Sequence, residues 1–402
     1  MNGTNGMKGL LSGVRIIDLT RALAGPYGTM LLGDLGAEII KIEEHTGDVT
    51  RPTGHVTRPG MGAYFISVNR NKRSVVLDLK NPKGKEVFYD LVRVSDVVID
   101  NFRPRALRKL KCDFDDIKKY NPKILSCSIS GFGHTGPDQD LPAYDLTVQA
   151  RGGGMSITGE PGGPPLKMGL PVGDLAAGMF AALSIASALH HRERTGQGQK
   201  LDVSLLDCQI SLGSYLAAYY FIDGIIVGPQ GSRHENIAPY EAYPTKDIWL
   251  VVACTTQRFW EGLCRAMGLE ELITDPRFED RYYRRDNIEE LAPILTARFR
   301  EKTCDEWIAL LQKEDVPCAP VNPIDRALND PQVIARNMIV DMELPKVGKF
   351  KLPGNPMKSS VAEDVFAPPP ELGEHTEQVL RSLLGYGDER INELREASVI
   401  NS

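Results

Sequence analysis

Between residues 14 and 128 the chain alternates two hydrophobic periods. Residues 14–19, 38–43, 74–79, 97–100 and 124–128 are short apolar runs with the length and β-branched content of buried strands. Between them lie stretches of helical spacing. Residues 26–35 begin at a proline and stop at Gly36, and the segment from Pro82 carries Val87, Phe88, Leu91 and Val92 on one face. This alternation predicts a parallel sheet covered on both sides, the doubly wound, Rossmann-like α/β class. The most apolar segment, residues 175–189, is rich in Ala, Ser and Gly and ends at His190 and Arg192. It falls short of the ~20 apolar residues that span a bilayer, so it predicts a buried helix.

After Gly224 the texture changes. A loop-like stretch at 228–239 leads to a strand at 249–253 and helices at 259–267, 288–300 and 305–314. The expected organisation is a large domain over 1–224 and a smaller α/β domain over 225–325. A tail over 326–402, with prolines at 368–370 and a last helix at 374–384, then returns to the first domain.

Composition narrows the function. The 402 residues are 42% hydrophobic and 25% charged, enough for a sizeable core, and the net charge of −6 supplies no basic stripe for nucleic acid. Any phosphorylated ligand must be held by local cations. The seven cysteines stand singly, without the paired spacing of zinc sites or disulfide frameworks, which suits reduced thiols in a cytoplasm. Residues 1–13 lack the basic, apolar and small-residue succession of a secretion signal, so neither export nor a membrane is expected. The turn at Thr20–Gly25 lacks the G-x-G-x-x-G fingerprint of dinucleotide oxidoreductases, and no Ser-His or metal constellation for a thioesterase is visible.

Several local patterns accumulate in order: NRNKRSVVLDLK at 69–80, NFRP at 101–104, SGFGHTGP at 130–137, PAYDLTVQARGGG at 142–154, PVGDLAAG at 171–178, RERTGQGQ at 192–199 and LGEHTEQVL at 372–380. Together they resemble the family III CoA-transferases, the CaiB/BaiF type that includes formyl-CoA transferase, carnitine CoA-transferase and succinyl-CoA-dependent dicarboxylate enzymes. The resemblance implies coenzyme A as substrate, no metal, and a dimer of two interlocked ring-like chains, with a heteromer of paralogous subunits also admissible. It places the nucleophile at Asp174. A carboxylate there can attack an acyl thioester, pass through a mixed anhydride and carry CoA as an aspartyl thioester without ATP. A helix N-terminus is expected to keep it ionised. Read locally, Asp174 is equally a helix cap.

The resemblance sets the coenzyme against Leu23, Ala24, Lys72, Arg73, Leu77, Lys80, Asn101, Phe102, Arg103 and Lys109, with Ala143, Tyr144 and Asp145 facing the reacting end. Taken alone, Lys72, Arg73 and Lys80 are a solvated basic patch, Tyr144 a half-buried aromatic and Asp145 another cap. Gly228–Gly231 is the candidate for a mobile lid or a plain linker, and Gly152, Gly153 and Gly154 for a backbone approach to the thioester or a tight turn. A dicarboxylate or aryl-substituted succinate acceptor needs a cation, for which Arg21, Arg151, Lys167, Arg233 and His234 are available. Two rival readings follow. An α-methylacyl-CoA racemase of the same fold needs a histidine base where Tyr144 stands, and a tyrosine with pKa ~10 is a poor base at neutral pH. A non-catalytic CoA-binding subunit has no use for Asp174.

Overall fold

The computed structural model describes residues 9–56 and 60–401. Its internal contacts divide the chain into two bodies, one of Met1–Met155, Lys167–Ile225 and Asn337–Ser402, the other of Ser156–Leu166 and Ile226–Arg336.

The larger body is built on six parallel strands: β1 (Arg15–Asp18), β2 (Glu38–Glu43), β3 (Lys72–Val76), β4 (Val97–Asp100), β5 (Leu125–Ser130) and β6 (Gln199–Ser204). They lie in the order β3-β2-β1-β4-β5-β6, so the chain reverses its direction of growth between β1 and β4. Alternate residues feed two cores. Ile17, Ile40 and Val98 face one side, while Ile16, Ile39, Val97 and Ile99 face the other. Burial on both sides is why these strands read as continuous apolar runs rather than as an alternation.

Among the described residues the chain as far as Ile225 forms nine α-helices, numbered in chain order: α1 (Ala24–Asp34), α2 (Ala63–Val68), α3 (Pro82–Arg93), α4 (Pro104–Leu110), α5 (Phe114–Ile117), α6 (Asp145–Arg151), α7 (Val172–Thr195), α8 (Leu205–Leu212) and α9 (Ser214–Asp223). α3 starts where its sequence says it should, with Asn81 accepting from the Lys83 N–H at 3.0 Å and Pro82 in the first turn. Its Val87, Phe88 and Leu91 cover one face of the sheet, and α7 covers the other through Ala177, Ala181 and Ile185. The small residues of α7 have a purpose. A Cβ on Gly28 of α1 would come within 2.7 Å of the Gly178 carbonyl, and one on Gly178 within 2.5 Å of the Ala24 carbonyl. Helices this close bring the start of α7 beside the start of α1. At 24 residues, α7 outruns the apolar segment that marks it and by length and composition alone could cross a bilayer, but its Ala176, Ala177, Ala181 and Ile185 are spent on this core.

The smaller body packs α10 (Gln257–Met267), α11 (Arg281–Asp286), α12 (Ile288–Phe299) and α13 (Cys304–Lys313) against the antiparallel strands β7 (Tyr240–Pro244), β8 (Trp249–Ala253) and β9 (Cys318–Pro320), then ends with α14 (Ile324–Leu328) and α15 (Pro331–Ala335). Trp260, Trp307 and Phe299 are its fully buried anchors. The remaining chain rejoins the larger body: a hairpin of β10 (Ile339–Leu344) and β11 (Gly348–Pro353), then α16 (Thr376–Leu384) and α17 (Asp388–Glu396). Val379, Leu380, Ile391 and Leu394 share the core of α3.

Candidate active site

β1 and β4 are neighbours, yet α1 leaves β1 toward one core and α4 leaves β4 toward the other, as Leu32 and Leu107 show. The two loops therefore diverge. A crevice at the carboxyl ends of the strands is the consequence, and in doubly wound sheets that is where ligands bind. Here it is a cleft of about 340 Å³. Arg21, Ala22, Leu23 and Ala24 line it after β1, Asn101, Phe102, Arg103 and Pro104 after β4, and Ser130 and Gly131 at the end of β5, with Pro142, Ala143, Tyr144 and Asp174 closing the rest.

The first loop is held by its neighbours. Asn101 accepts from the Arg21 N–H at 2.9 Å and donates to the Arg21 carbonyl at 2.7 Å, so its amide is engaged at both ends with backbone. Ala22 sits at φ 66°, a conformation that costs a side-chain-bearing residue ~1 kcal/mol and persists where surroundings enforce it.

Asp174 is the third residue of α7, whose cap position is Pro171, so the helix-cap reading of Asp174 does not hold. The first N–H groups of a helix lack internal partners; Pro171 at the cap has none to offer, and those of Val172, Gly173 and Asp174 are all taken. Val172 donates to the Leu170 carbonyl at 2.9 Å, and the regular helical ladder begins with Leu175 donating to the Pro171 carbonyl at 3.0 Å. Gly173 and Asp174 both donate to Oδ1 of Asp145, at 2.8 and 3.3 Å. Asp145 thus caps a helix other than its own, and its Oδ2 is fixed by the Gln149 amide at 2.6 Å. Among the described residues the Asp174 carboxylate makes no ion pair or hydrogen bond. Burial, and secondarily the charge of Asp145, push it up to about 6. Both causes oppose the ionised form that a helix terminus favours, although at pH 7 about nine in ten such groups remain ionised.

Beside the cleft, and sharing Arg21 and Phe102 with it, runs a second groove of about 840 Å³. Five lysines line it: Lys80, Lys85, Lys109, Lys111 and Lys119. Lys80 lies 3.4 Å from Glu44 and Lys119 3.1 Å from Asp116, while Lys109 and Lys111 have no ion pair among the described residues. Tyr89 and Tyr120 stack in the same groove with ring centroids 4.0 Å apart. Leu77 lies beneath the junction, beside Arg21, Lys80 and Phe102.

A basic groove leading to an isolated carboxylate suits a long phosphorylated molecule with a reactive end. The sequence profile described as CoA-transferase family III matches residues 11–376. The chain is a family III CoA-transferase. It is 38% identical over 393 residues to the human succinyl-CoA:glutarate CoA-transferase, covering 97% of this chain and 90% of that one. It is also 38% identical to the acetyl-CoA:oxalate CoA-transferase of Acetobacter aceti over 374 residues, 91% of this chain and 94% of the relative. A crystal structure of a CaiB/BaiF family protein from Brucella suis superposes with a TM-score of 0.85 at 35% identity, covering 94% of this chain and all of that one.

Of the residues singled out from the sequence of the transferase, Leu23, Ala24, Asn101, Phe102, Arg103, Ala143, Tyr144 and Asp174 meet in the cleft, and Lys80 and Lys109 join Phe102 in the groove. Asp145 stands behind Asp174 rather than in the cleft. Lys72 and Arg73 require correction. β3 begins at Lys72, so both lie at the amino end of the strand, at the opposite end from the carboxyl ends that border the cleft. The Lys72 ammonium is fully buried against Asp18 at 3.1 Å, the Pro26 carbonyl at 2.9 Å and Asn69 at 2.9 Å, and Arg73 is paired with Glu38. Neither is available to a ligand in the cleft. Gly152 and Gly154 pack on Gln209 of α8, and Gly228–Gly231 belongs to the smaller body. The sequence reading overlooked Lys85, Lys111 and Lys119. Their signal was a run of lysines on both sides of Pro104–Leu110 and before Tyr120, spread over three elements and so invisible as a patch.

Proposed function

We propose that this transferase moves CoA from an acyl-CoA donor to a free dicarboxylate, with Asp174 as the group that is acylated in turnover. The observation that carries this reading is a half-buried carboxylate, without a partner among the described residues, opening on the crevice where the strand order reverses. In the proposed sequence an Asp174 oxygen attacks the thioester carbonyl, the C–S bond breaks, and CoA leaves as thiolate from a mixed anhydride. The thiolate then attacks the aspartyl carbonyl and expels the donor carboxylate, leaving an aspartyl-CoA thioester. The acceptor carboxylate repeats both steps in reverse and frees Asp174. No proton is gained or lost overall, and the thioester energy is retained.

The lysine-lined groove suits the nucleotide and phosphates of the coenzyme, with Lys80, Lys109 and Lys111 offering charge-assisted contacts. The acceptors named in the human and Acetobacter relatives, glutarate and oxalate, are both dicarboxylates. Of the cations offered for a second carboxylate, Arg21 lines the cleft, where its guanidinium is paired with Glu44 at 3.0 Å and an acceptor carboxylate would have to compete for it, whereas Arg151 is bound to Asp138 and Arg233 to Glu241 and Glu289, both outside the cleft lining. We read Arg21 as its partner. α9 has no buried residue and exposes Tyr220, Phe221 and Ile222, which fits a second copy covering it in a dimer.

The test is incubation with a panel of acyl-CoA donors, with and without dicarboxylates, followed by hydroxylamine or borohydride trapping and peptide mass mapping. The adduct is expected at Asp174, and Asp174→Ala should lower transfer at least roughly 10³-fold. Undiminished transfer in that variant, or solvent exchange of the donor's α-proton with no movement of CoA, overturns the reading.

A further inference from the structure

The start of α7 holds two carboxylates where one would serve. Left to itself, a helix N-terminus offers its free N–H groups to an acidic side chain in its first turn, and those bonds make the carboxylate less basic and less nucleophilic. That fate does not befall Asp174. Asp145 reaches across from α6 and takes the two N–H groups at Gly173 and Asp174, with a single oxygen. Three features hold it there. Gln149, fully buried, donates to its other oxygen at 2.6 Å and accepts from the Met168 N–H at 2.9 Å, so its amide cannot turn away. Position 173 is glycine, and a Cβ there would press to 3.1 Å from the Asp145 oxygen. Finally, Val148 on the next turn of α6 packs into the core beside α7.

We infer that Asp145 is a positioning residue: by occupying the helix-terminal N–H groups it leaves the Asp174 carboxylate without hydrogen bonds and facing the cleft as a more reactive nucleophile. The inference rests on the reading of Asp174 as the acylated group. The charged and titratable groups on the surrounding elements include Tyr27 and Asp34 on α1, Tyr64 on α2 with Asp48 near it, Arg151 on α6, Asp207 and Cys208 on α8, and Arg21, Arg103 and Tyr144 in the cleft wall. Besides burial, Asp145 is the group that acts on Asp174. Tyr64 in turn feels the charges of Asp174 and Asp145. As both helix cap and like-charge neighbour, Asp145 works on Asp174 in the same direction.

The experiment compares Asp145→Asn, Asp145→Glu and Asp174→Ala in the full-length enzyme, measuring kcat/KM for transfer from pH 5 to 8 and the trapped adduct. Wild-type activity should fall on the acidic side with a midpoint near pH 6. Asp145→Asn should move that midpoint down by about one unit and lower kcat about tenfold, with KM for the donor little changed. Asp145→Glu, which keeps the charge, should hold the midpoint. A merely structural cap would lose stability and rate without moving the limb, so an unmoved limb in Asp145→Asn overturns the inference while an intact Asp174 adduct leaves the proposed function standing. Transfer that survives Asp174→Ala defeats both. If Asp145→Asn does not fold, Gln149→Met replaces it. That change unfastens Asp145 but keeps both charges, and it should lower kcat with donor KM unchanged. An unchanged kcat there counts against the positioning role.

Discussion

Asp18 and Asp174 are aspartates of the same body, both drawn away from solvent, and their surroundings push them in opposite directions. Asp18 ends β1 fully buried, yet it accepts from the Thr20 N–H at 2.8 Å, the Thr29 hydroxyl at 2.7 Å and the Lys72 ammonium at 3.1 Å. Burial opposes its charge, but Lys72, Lys41 and these hydroxyls outweigh it and hold Asp18 down to about 2. Asp174 has the burial without the cations, and a second carboxylate besides. The first arrangement builds a framework, since every lone pair is matched and the strand ends of β1, β2 and β3 are tied together. The second keeps a charge in a poor environment, which is how a weak nucleophile is made reactive.

The comparison is broken most severely by removing a cation from the framework. Lys72→Met leaves Asp18 fully buried with only the more distant Lys41, itself paired to Asp48, as counter-charge, and should cost about 3–5 kcal/mol of unfolding free energy by denaturant titration at pH 7. A loss below 1 kcal/mol means that Lys41 alone satisfies the network. The sign with pH is fixed by the downward shift. Asp18 contributes stability above about pH 4, and this is lost as pH falls toward 2.

Asp174 should behave as the mirror image. Its folded value near 6 lies above the unfolded 3.8, so the ionised form destabilises the native state above pH 6, and the penalty vanishes as pH falls below about 4. Asp174→Asn, which the proposed role of Asp174 predicts to be inactive, is therefore expected to be more stable than the wild type by about 1–3 kcal/mol at pH 7 and equal to it near pH 4. Equal stability of the two proteins at both pH values breaks the contrast with Asp18.

The difference between these two aspartates was only half legible in the chain. Periodicity located β1, β2 and β4 and the small-residue helix, because strands buried on two faces and a helix packed through glycine leave strong local patterns. It placed β3 two residues late, which left Lys72 outside the strand and readable as part of a solvated basic patch, while the resemblance offered it as a ligand. Whether a lysine is spent depends on Asp18, which lies 54 positions earlier, and no local window contains that pairing. Asp174 was visible through its motif context, yet the role of Asp145 was not. Its carboxylate caps a helix 28 residues onward in the chain, whereas an acid just before a helical run reads as the cap of that run.

The smallest effect is expected for cations, and it carries the comparison over to lysine. Lys72 is locked into three bonds, whereas Lys109 and Lys111 stand in the groove without ion pairs among the described residues. If the groove holds the phosphorylated end of the coenzyme, replacing both by alanine should remove two screened contacts, worth about 1 kcal/mol together. The expected readout is a roughly five- to tenfold rise in KM for acyl-CoA with kcat unchanged, because these groups act far from the reacting carbonyl. The rise should shrink at 0.5 M salt, where exposed charges are already screened. A donor truncated to acyl-pantetheine, which has no nucleotide, should not distinguish the variant from the wild type. Equal sensitivity of full and truncated donors, or a fall in kcat at constant KM, would mean that the lysines serve the fold and that the coenzyme's phosphates lie elsewhere.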